Sequence, residues 1–201
     1  FDDMVALNAN DGQCAQEEGD ITDIDIDGIY ADYCHSAVRL LSTGANLKRV
    51  TIRNVHGNFY TYMVGLTHFF GNRKTRGVFD DIVIRDAFAA KALSPENVGV
   101  HSRAHLPLVW VEGAVDVGRL TVEGLSRDEK TVPVATLRID EPATVRTLTV
   151  RDCKMTNALE PPVPFMEVAP IPFMVVRGNV GKATVENIDF TGRWTQTGRP
   201  E

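Results

Sequence analysis

Apolar residues along this chain fall into one recurring pattern, apolar-x-x-apolar-x-apolar-x-polar or Gly. Seven stretches carry it: 1–8, 21–28, 47–54, 79–86, 117–124, 145–152 and 185–192. The last two apolar positions of each stretch are two residues apart, the period of a strand. Ile24 and Ile26 therefore share one face, while Asp23, Asp25 and Asp27 share the other. One face is expected to be core and the other to meet water. Asn, Asp or Gly closes each stretch, and these residue types tolerate left-handed backbone, so a sharp corner is expected directly after each strand.

A second short strand is expected at a steady offset behind several copies: Val38 follows Ile24, Val64 follows Val50 and Val134 follows Leu120, within 37–41, 63–67 and 134–139. Copies of one strand spaced by about 20 to 40 residues, with no helical block of matching regularity between them, predict a solenoid. The expected fold class is all-β, a parallel β-helix of about six to seven coils with strands about 4.8 Å apart. It would form a single domain over 1–201, with 193–201 as a polar tail that frays or caps the last coil. A β-sandwich also has alternating strands, but its strands need not share one template.

The chain opens inside a repeat and without Met, which predicts that further coils precede it or that another chain covers the end around Phe1. It holds 201 residues, 43% hydrophobic and 24% charged, ordinary for a folded soluble domain. It has no apolar run of membrane-spanning length and no segment patterned as a signal peptide. The net charge of −6 argues against general nucleic-acid binding, which needs a basic surface. Lys48, Arg49 and Arg53 on one strand and Arg73, Lys74 and Arg76 in one loop could face an anionic sugar, or form a solvated face balanced by nearby carboxylates.

The three cysteines, Cys14, Cys34 and Cys153, have neither zinc-site nor disulfide-framework spacing. Cys14 and Cys34 could pair in an oxidising compartment, whereas Cys153 is expected to pack as a small apolar residue. The loop from Asn8 to Asp20 is rich in carboxylates and could hold calcium, but it lacks an ordered EF-hand spacing and also reads as a solvated turn. No other cofactor and no metal ligand set is expected. Residues 87–107 form a long excursion with His101 and His105, and 158–173 form a proline-rich extended loop.

The run Phe1-Asp2-Asp3-Met4-Val5-Ala6-Leu7-Asn8, then Cys34-His35-Ser36-Ala37-Val38-Arg39-Leu40-Leu41-Ser42, then Val50-Thr-Ile-Arg-Asn-Val55 resembles the catalytic stretch of polygalacturonase-type glycoside hydrolases of family 28. The closer likeness is to bacterial family-28-related β-helix proteins. It covers residues 1 to about 70, and beyond them only the coil pattern continues. The resemblance implies a right-handed parallel β-helix, a secreted or periplasmic location and a pectin-like polysaccharide substrate. It implies that Asp2 and Asp3 match the family's paired aspartates and His35 its histidine. Cys34 and Ser36 stand where the family has glycines, and Val64-Gly65-Leu66, followed by Thr67 and His68, where it reads R-I-K to grip a uronate carboxylate.

Inverting hydrolysis in such a family needs one carboxylic acid to protonate the leaving oxygen and one carboxylate to activate water, about 6.5–9.5 Å apart. The expected catalytic residues are Asp2, Asp3 and His35, with Arg39, His68, Tyr60, Tyr62, His101, His105 and Trp110 as candidates for substrate contact. Asp80 and Asp81 occupy the same pattern slots as Asp2 and Asp3, which reads equally as a general preference of those slots for polar residues. Three function classes follow: a hydrolase of a uronate-containing polysaccharide, a polysaccharide lyase that removes the proton next to the uronate carboxyl, and a non-catalytic, oligomeric adhesin or tail-fibre module.

Overall fold

The computed structural model describes residues 2–10, 19–68, 75–93, 105–161, 167–168 and 170–195. In these the chain is all-β. β1 (Asp3–Ala9) is followed by two long strands, β2 (Ile21–Ser42) and β3 (Asn46–Thr67). Three shorter strands make the next pass, β4 (Gly77–Arg85), β5 (Phe88–Lys91) and β6 (Val109–Val111). Three more follow: β7 (Val115–Glu123), β8 (Ser126–Glu129) and β9 (Leu137–Ile139). The chain closes with β10 (Thr144–Asn157), β11 (Ile171–Pro172), β12 (Met174–Val176), β13 (Asn179–Thr191) and β14 (Trp194–Thr195). No helix among the described residues is long and apolar enough to cross a membrane.

Every pairing is parallel, and each pass of chain lies in register on the one before. Three runs of pairing emerge, compatible with a β-helix. The first begins with 21–27 on 47–53 and continues through β4, β7, β10 and the start of β13. The second aligns Tyr30, His56, Phe88, Ser126, Lys154 and Asp189 in one column. The third stacks β1, 36–41, 62–67, β6, β9 and β12.

The pattern of apolar positions explains the first run. Leu47, Val50 and Ile52 lie above Phe79, Ile82 and Ile84, then Val117, Leu120 and Val122, then Val145, Leu148 and Val150, and all are buried. Each such side chain contributes about 1.5–3 kcal/mol by leaving water, which a single unstacked pass could not gather. Of the expected corners, Gly28, Asn54, Asp86, Gly124, Asp152 and Gly192 have left-handed φ between 54° and 81°, whereas Asn8 lies inside β1. The outward positions carry ion pairs between passes, Arg49 with Asp23 at 2.5 Å and Arg53 with Asp25 at 2.9 Å and Asp27 at 3.1 Å. That strip is a solvated face whose charge the preceding pass balances. Arg76 likewise pairs with Asp116 at 2.7 Å, while Arg73 and Lys74 lie outside the described residues.

Two of the seven pattern copies are corrected. Residues 1–8 are not a first-run strand: β1 pairs with the third-run segment of β2, Asp3 opposite Ser36 and Leu7 opposite Leu40. Asp2 and Asp3 are therefore not equivalent to Asp80 and Asp81, which lie in the first run. The final copy is also displaced. Val145, Leu148 and Val150 sit on Val180, Ala183 and Val185, so the first apolar position of this copy is Val180 rather than Val185, and Ile188 and Phe190 belong to the second run.

Cys153 is buried, and burial pushes its thiol up to about 11. Cys34 is half-buried, and its expected partner Cys14, like most of the carboxylate-rich loop proposed for calcium, lies outside the described residues. Trp194 packs on the core beside Phe190, ring centroids 5.9 Å apart, in line with an end-covering role. The interior also holds charges that the apolar pattern does not announce. Arg127 donates to Glu129 at 2.5 Å, both wholly buried, and the guanidinium also bonds Thr136 Oγ1 at 2.9 Å. Nearby, the buried Lys91 donates through Nζ to the carbonyls of Tyr60, at 3.2 Å, and Thr61.

Candidate functional site

The corner leading into the third run carries the candidate site. A parallel register of Asp3 on Ser36 brings β1 against the neighbouring pass, so Asp3 meets His35, Ser36 and Arg39 although a whole turn of chain separates them in sequence. Asp3 Oδ1 accepts from Ser36 Oγ and from Tyr62 Oη, the latter at 3.3 Å. His35 Nδ1 lies 3.0 Å from Ser36 Oγ and 3.6 Å from Asp3 Oδ1, and Arg39 Nε lies 3.1 Å from Asp3 Oδ2. The Asp3 side chain is only 2% exposed. Asp2 stands at the exposed edge and accepts from the Asp3 backbone N–H at 3.0 Å.

Burial by itself would raise the pKa of Asp3. Hydrogen bonds from His35 and Ser36 and the charge of Arg39 outweigh it, so the carboxyl is held below its ordinary range. Asp3 is thus a fixed anion, suited to orienting His35 and stabilising positive charge rather than giving up a proton. One ligand atom each from Asp2, Asp3 and His35 lie within 4.8 Å of one another. That is tighter than the gap of about 6.5–9.5 Å which an inverting pair leaves for water, so the two aspartates do not by themselves form such a pair. The same three atoms could ligate a cation, but Arg39 already supplies countercharge to Asp3.

Tyr60 and Tyr62 both adjoin His35, with ring centroids 5.3 and 6.4 Å away in edge-on geometry. The Tyr60 ring is 2% exposed, and its Oη has no hydrogen-bond partner among the described residues. Tyr62 lies across Gly65, where a Cβ would come within 2.9 Å of the ring, and reaches Trp110, centroid to centroid 5.9 Å. Leu106 joins Tyr62 and Trp110 in a small cluster outside the main core, and Trp110 Nε1 donates to Asp140 Oδ2 at 2.7 Å. Trp110 is therefore a packed neighbour of the site rather than an open platform.

The remaining candidates scatter. His68 is six residues beyond Tyr62 on the third run, about 20 Å along a strand, and is buried. Its backbone N–H donates to Glu112 at 2.6 Å, and its ring meets Thr75 Oγ1 at 3.3 Å. Burial and then the charge of Arg76 lower its pKa, so the structure places it in a separate environment from Asp3. His105 is exposed, its carbonyl accepting from Arg138 at 3.2 Å, and His101 lies outside the described residues. Ser36 is the contact that residue-by-residue matching passes over, because the family slot it fills is a glycine. The apolar alternation of 36–42 against 3–9 was the available signal.

No protein-family model, no curated protein and no solved structure matches this chain.

Proposed function

We propose that the chain is a right-handed parallel β-helix of six to seven coils, similar to family-28-related proteins, that hydrolyses glycosidic bonds in a uronate-containing, pectin-like polysaccharide outside the cytoplasm. The observation that supports this reading is the meeting of Asp2, Asp3 and His35, from two passes of chain, around one edge, with Arg39 alongside. In this reading Asp2 protonates the leaving oxygen. Asp3 orients His35 through Ser36, whose Oγ lies 3.0 Å from Nδ1, so that Nε2 takes the proton of the attacking water and later returns it to solvent. Arg39, 28% exposed while paired to Asp3, offers its outer N–H groups to a uronate carboxylate.

The test is turnover by the full-length protein on a panel of acidic polysaccharides. Asp2→Asn and Asp3→Asn should each reduce the release of reducing ends by about 10²–10⁴-fold. Asp81→Asn, a first-run aspartate paired with Arg119 at 2.9 Å, should leave it unchanged. Because Asp3 is buried, its variant is read together with a melting curve, and exposed Asp2 gives the cleaner measurement. A product absorbing in the ultraviolet would mean a lyase. Binding with no product from any member of the panel would mean a non-catalytic module.

A further inference from the structure

Large apolar side chains exposed among the described residues are Met4, Tyr30, Tyr33, Phe88, Leu93 and Val185. They are not scattered evenly. Tyr33, Phe88 and Leu93 line a single groove of about 540 Å³ on the second run. Tyr30 stands in the same column as Phe88, with His56 between them, and its ring stacks on the His56 ring at 5.0 Å and 13°. Grooves of this size with an apolar floor and a few polar groups are the usual form of a ligand site.

The backbone is built to present this surface. The register passes from Ala31 opposite Gly57 to Cys34 opposite Phe59, so Asp32 and Tyr33 together face Asn58, a β-bulge. Tyr33 has φ +57°, a region that a bulky side chain enters only under strain. Bulges of this kind re-aim side chains, and here the result is Tyr33 turned outward, 51% exposed, over the groove.

The occupant follows from length, charge and chemistry. The lining comes from four successive passes, at Tyr33, Asn58, Phe88 and Asp128, so the groove runs along the stack for about 14 Å, three strand spacings. That suits a linear polymer lying across the coils. Its two lysines are engaged: Lys130 pairs with Asp128 at 2.9 Å, and Lys91 turns its ammonium inward to the Tyr60 and Thr61 carbonyls. The Asp32 carboxylate is bonded to the Asn58 amide at 3.2 Å. A carboxylate and an amide beside aromatic and aliphatic walls match hydroxyl pairs next to the C–H faces of sugar rings, and the Asp32 carboxylate, which no lysine of the lining neutralises, disfavours a polyanion.

We propose that this second-run groove binds an uncharged linear glycan, separately from the Asp2–Asp3–His35 site. The inference goes beyond the hydrolytic reading and does not depend on it, since no groove residue takes part in that chemistry. The test is affinity electrophoresis of the full-length protein through gels containing a soluble neutral β-glucan, xylan or galactomannan, with polygalacturonate as the charged comparison. At least one neutral polymer should retard the protein, and Tyr33→Ala and Phe88→Ala should each weaken that retardation about tenfold. Both side chains are exposed, so melting temperatures should hold, and Asp81→Asn, on the first run and outside both sites, should bind as the parent does. Failure of every neutral polymer, retardation by polygalacturonate alone, or unchanged retardation in both variants would overturn the proposal. So would a parent that sediments as an oligomer and a Phe88→Ala variant that sediments as a monomer, because the face would then join protein chains.

Discussion

Gly57 shows how closely neighbouring passes approach. Its φ is +151°, and a Cβ there would lie 1.7 Å from the carbonyl oxygen of Ala31 on the adjacent pass. No rotamer relieves a clash between Cβ and backbone, so Gly57→Ala must push the two passes apart beside the bulge that carries Tyr33. The expected loss is about 3 kcal/mol in urea unfolding, whereas Gly19→Ala, with nothing within 4 Å of the added carbon, should change stability by less than about 0.5 kcal/mol. At the same scale the candidate site was half legible. Asp2, Asp3 and His35 are named by their likeness to a known stretch, and the structure does bring them together. What the residues could not announce is the ring of contacts that fixes the state of Asp3. Those contacts depend on the register between passes: Ser36 is unremarkable until Asp3 is placed on it, and Arg39 and Tyr62, read as candidates for substrate contact, prove to hold Asp3 itself.

Among the strands, five of the seven pattern copies stand where the sequence puts them, and the two that moved did so for different reasons. A pattern built on large apolar residues prefers Val185, Ile188 and Phe190 over Val180, Ala183 and Val185, because Ala183 carries little hydrophobic signal. The stretch 1–8 instead has the right alternation for either run, and only the pairing partner distinguishes them. Left-handed corners fall at both Asn187 and Gly192 and so do not choose between the two placements, whereas the Asn187 amide, donating to Asp152 at 3.0 Å, marks the corner that continues the column. The buried charges of β5 and β8 were not legible at all, because Lys91, Arg127 and Glu129 read as surface residues. Their effect should be measurable. Burial first, and then the charge of Arg127, lower the Lys91 pKa to about 7 from 10.5. Below pH 7 the folded state holds a buried ammonium that the unfolded state solvates freely. Between pH 7 and 10.5 the unfolded chain binds more protons, so this group makes stability rise with pH. Cys153, raised from 9.0 to about 11, opposes that trend above pH 9. The window from pH 7 to 9 is therefore the clean one. The melting temperature of the parent, less that of Lys91→Met, should climb across it, and a flat difference would show that the amine is not held as described.

For the molecule as a whole, stability should depend on how many neighbours each pass has. Ile52, Ile84, Val122, Val150 and Val185 form a single column through the first run. Ile84 is covered by strands on both sides and is fully buried. β13 pairs with β10 on one side and with no other described strand in this run, and Val185 is 44% exposed. The two positions carry the same kind of side chain in the same column, so the difference in their worth should come from stacking alone. Ile84→Ala should cost about 2–5 kcal/mol, with a cavity that neighbouring passes on both sides cannot close. Val185→Ala should cost about 0.5 kcal/mol. The midpoints of urea unfolding for the two variants, measured with the slope of each transition, decide the matter. If Val185→Ala costs as much as Ile84→Ala with an unchanged slope, a further surface covers β13 in solution. If Ile84→Ala costs as little as Val185→Ala, the column is not a continuous core and the stacked reading of the first run fails.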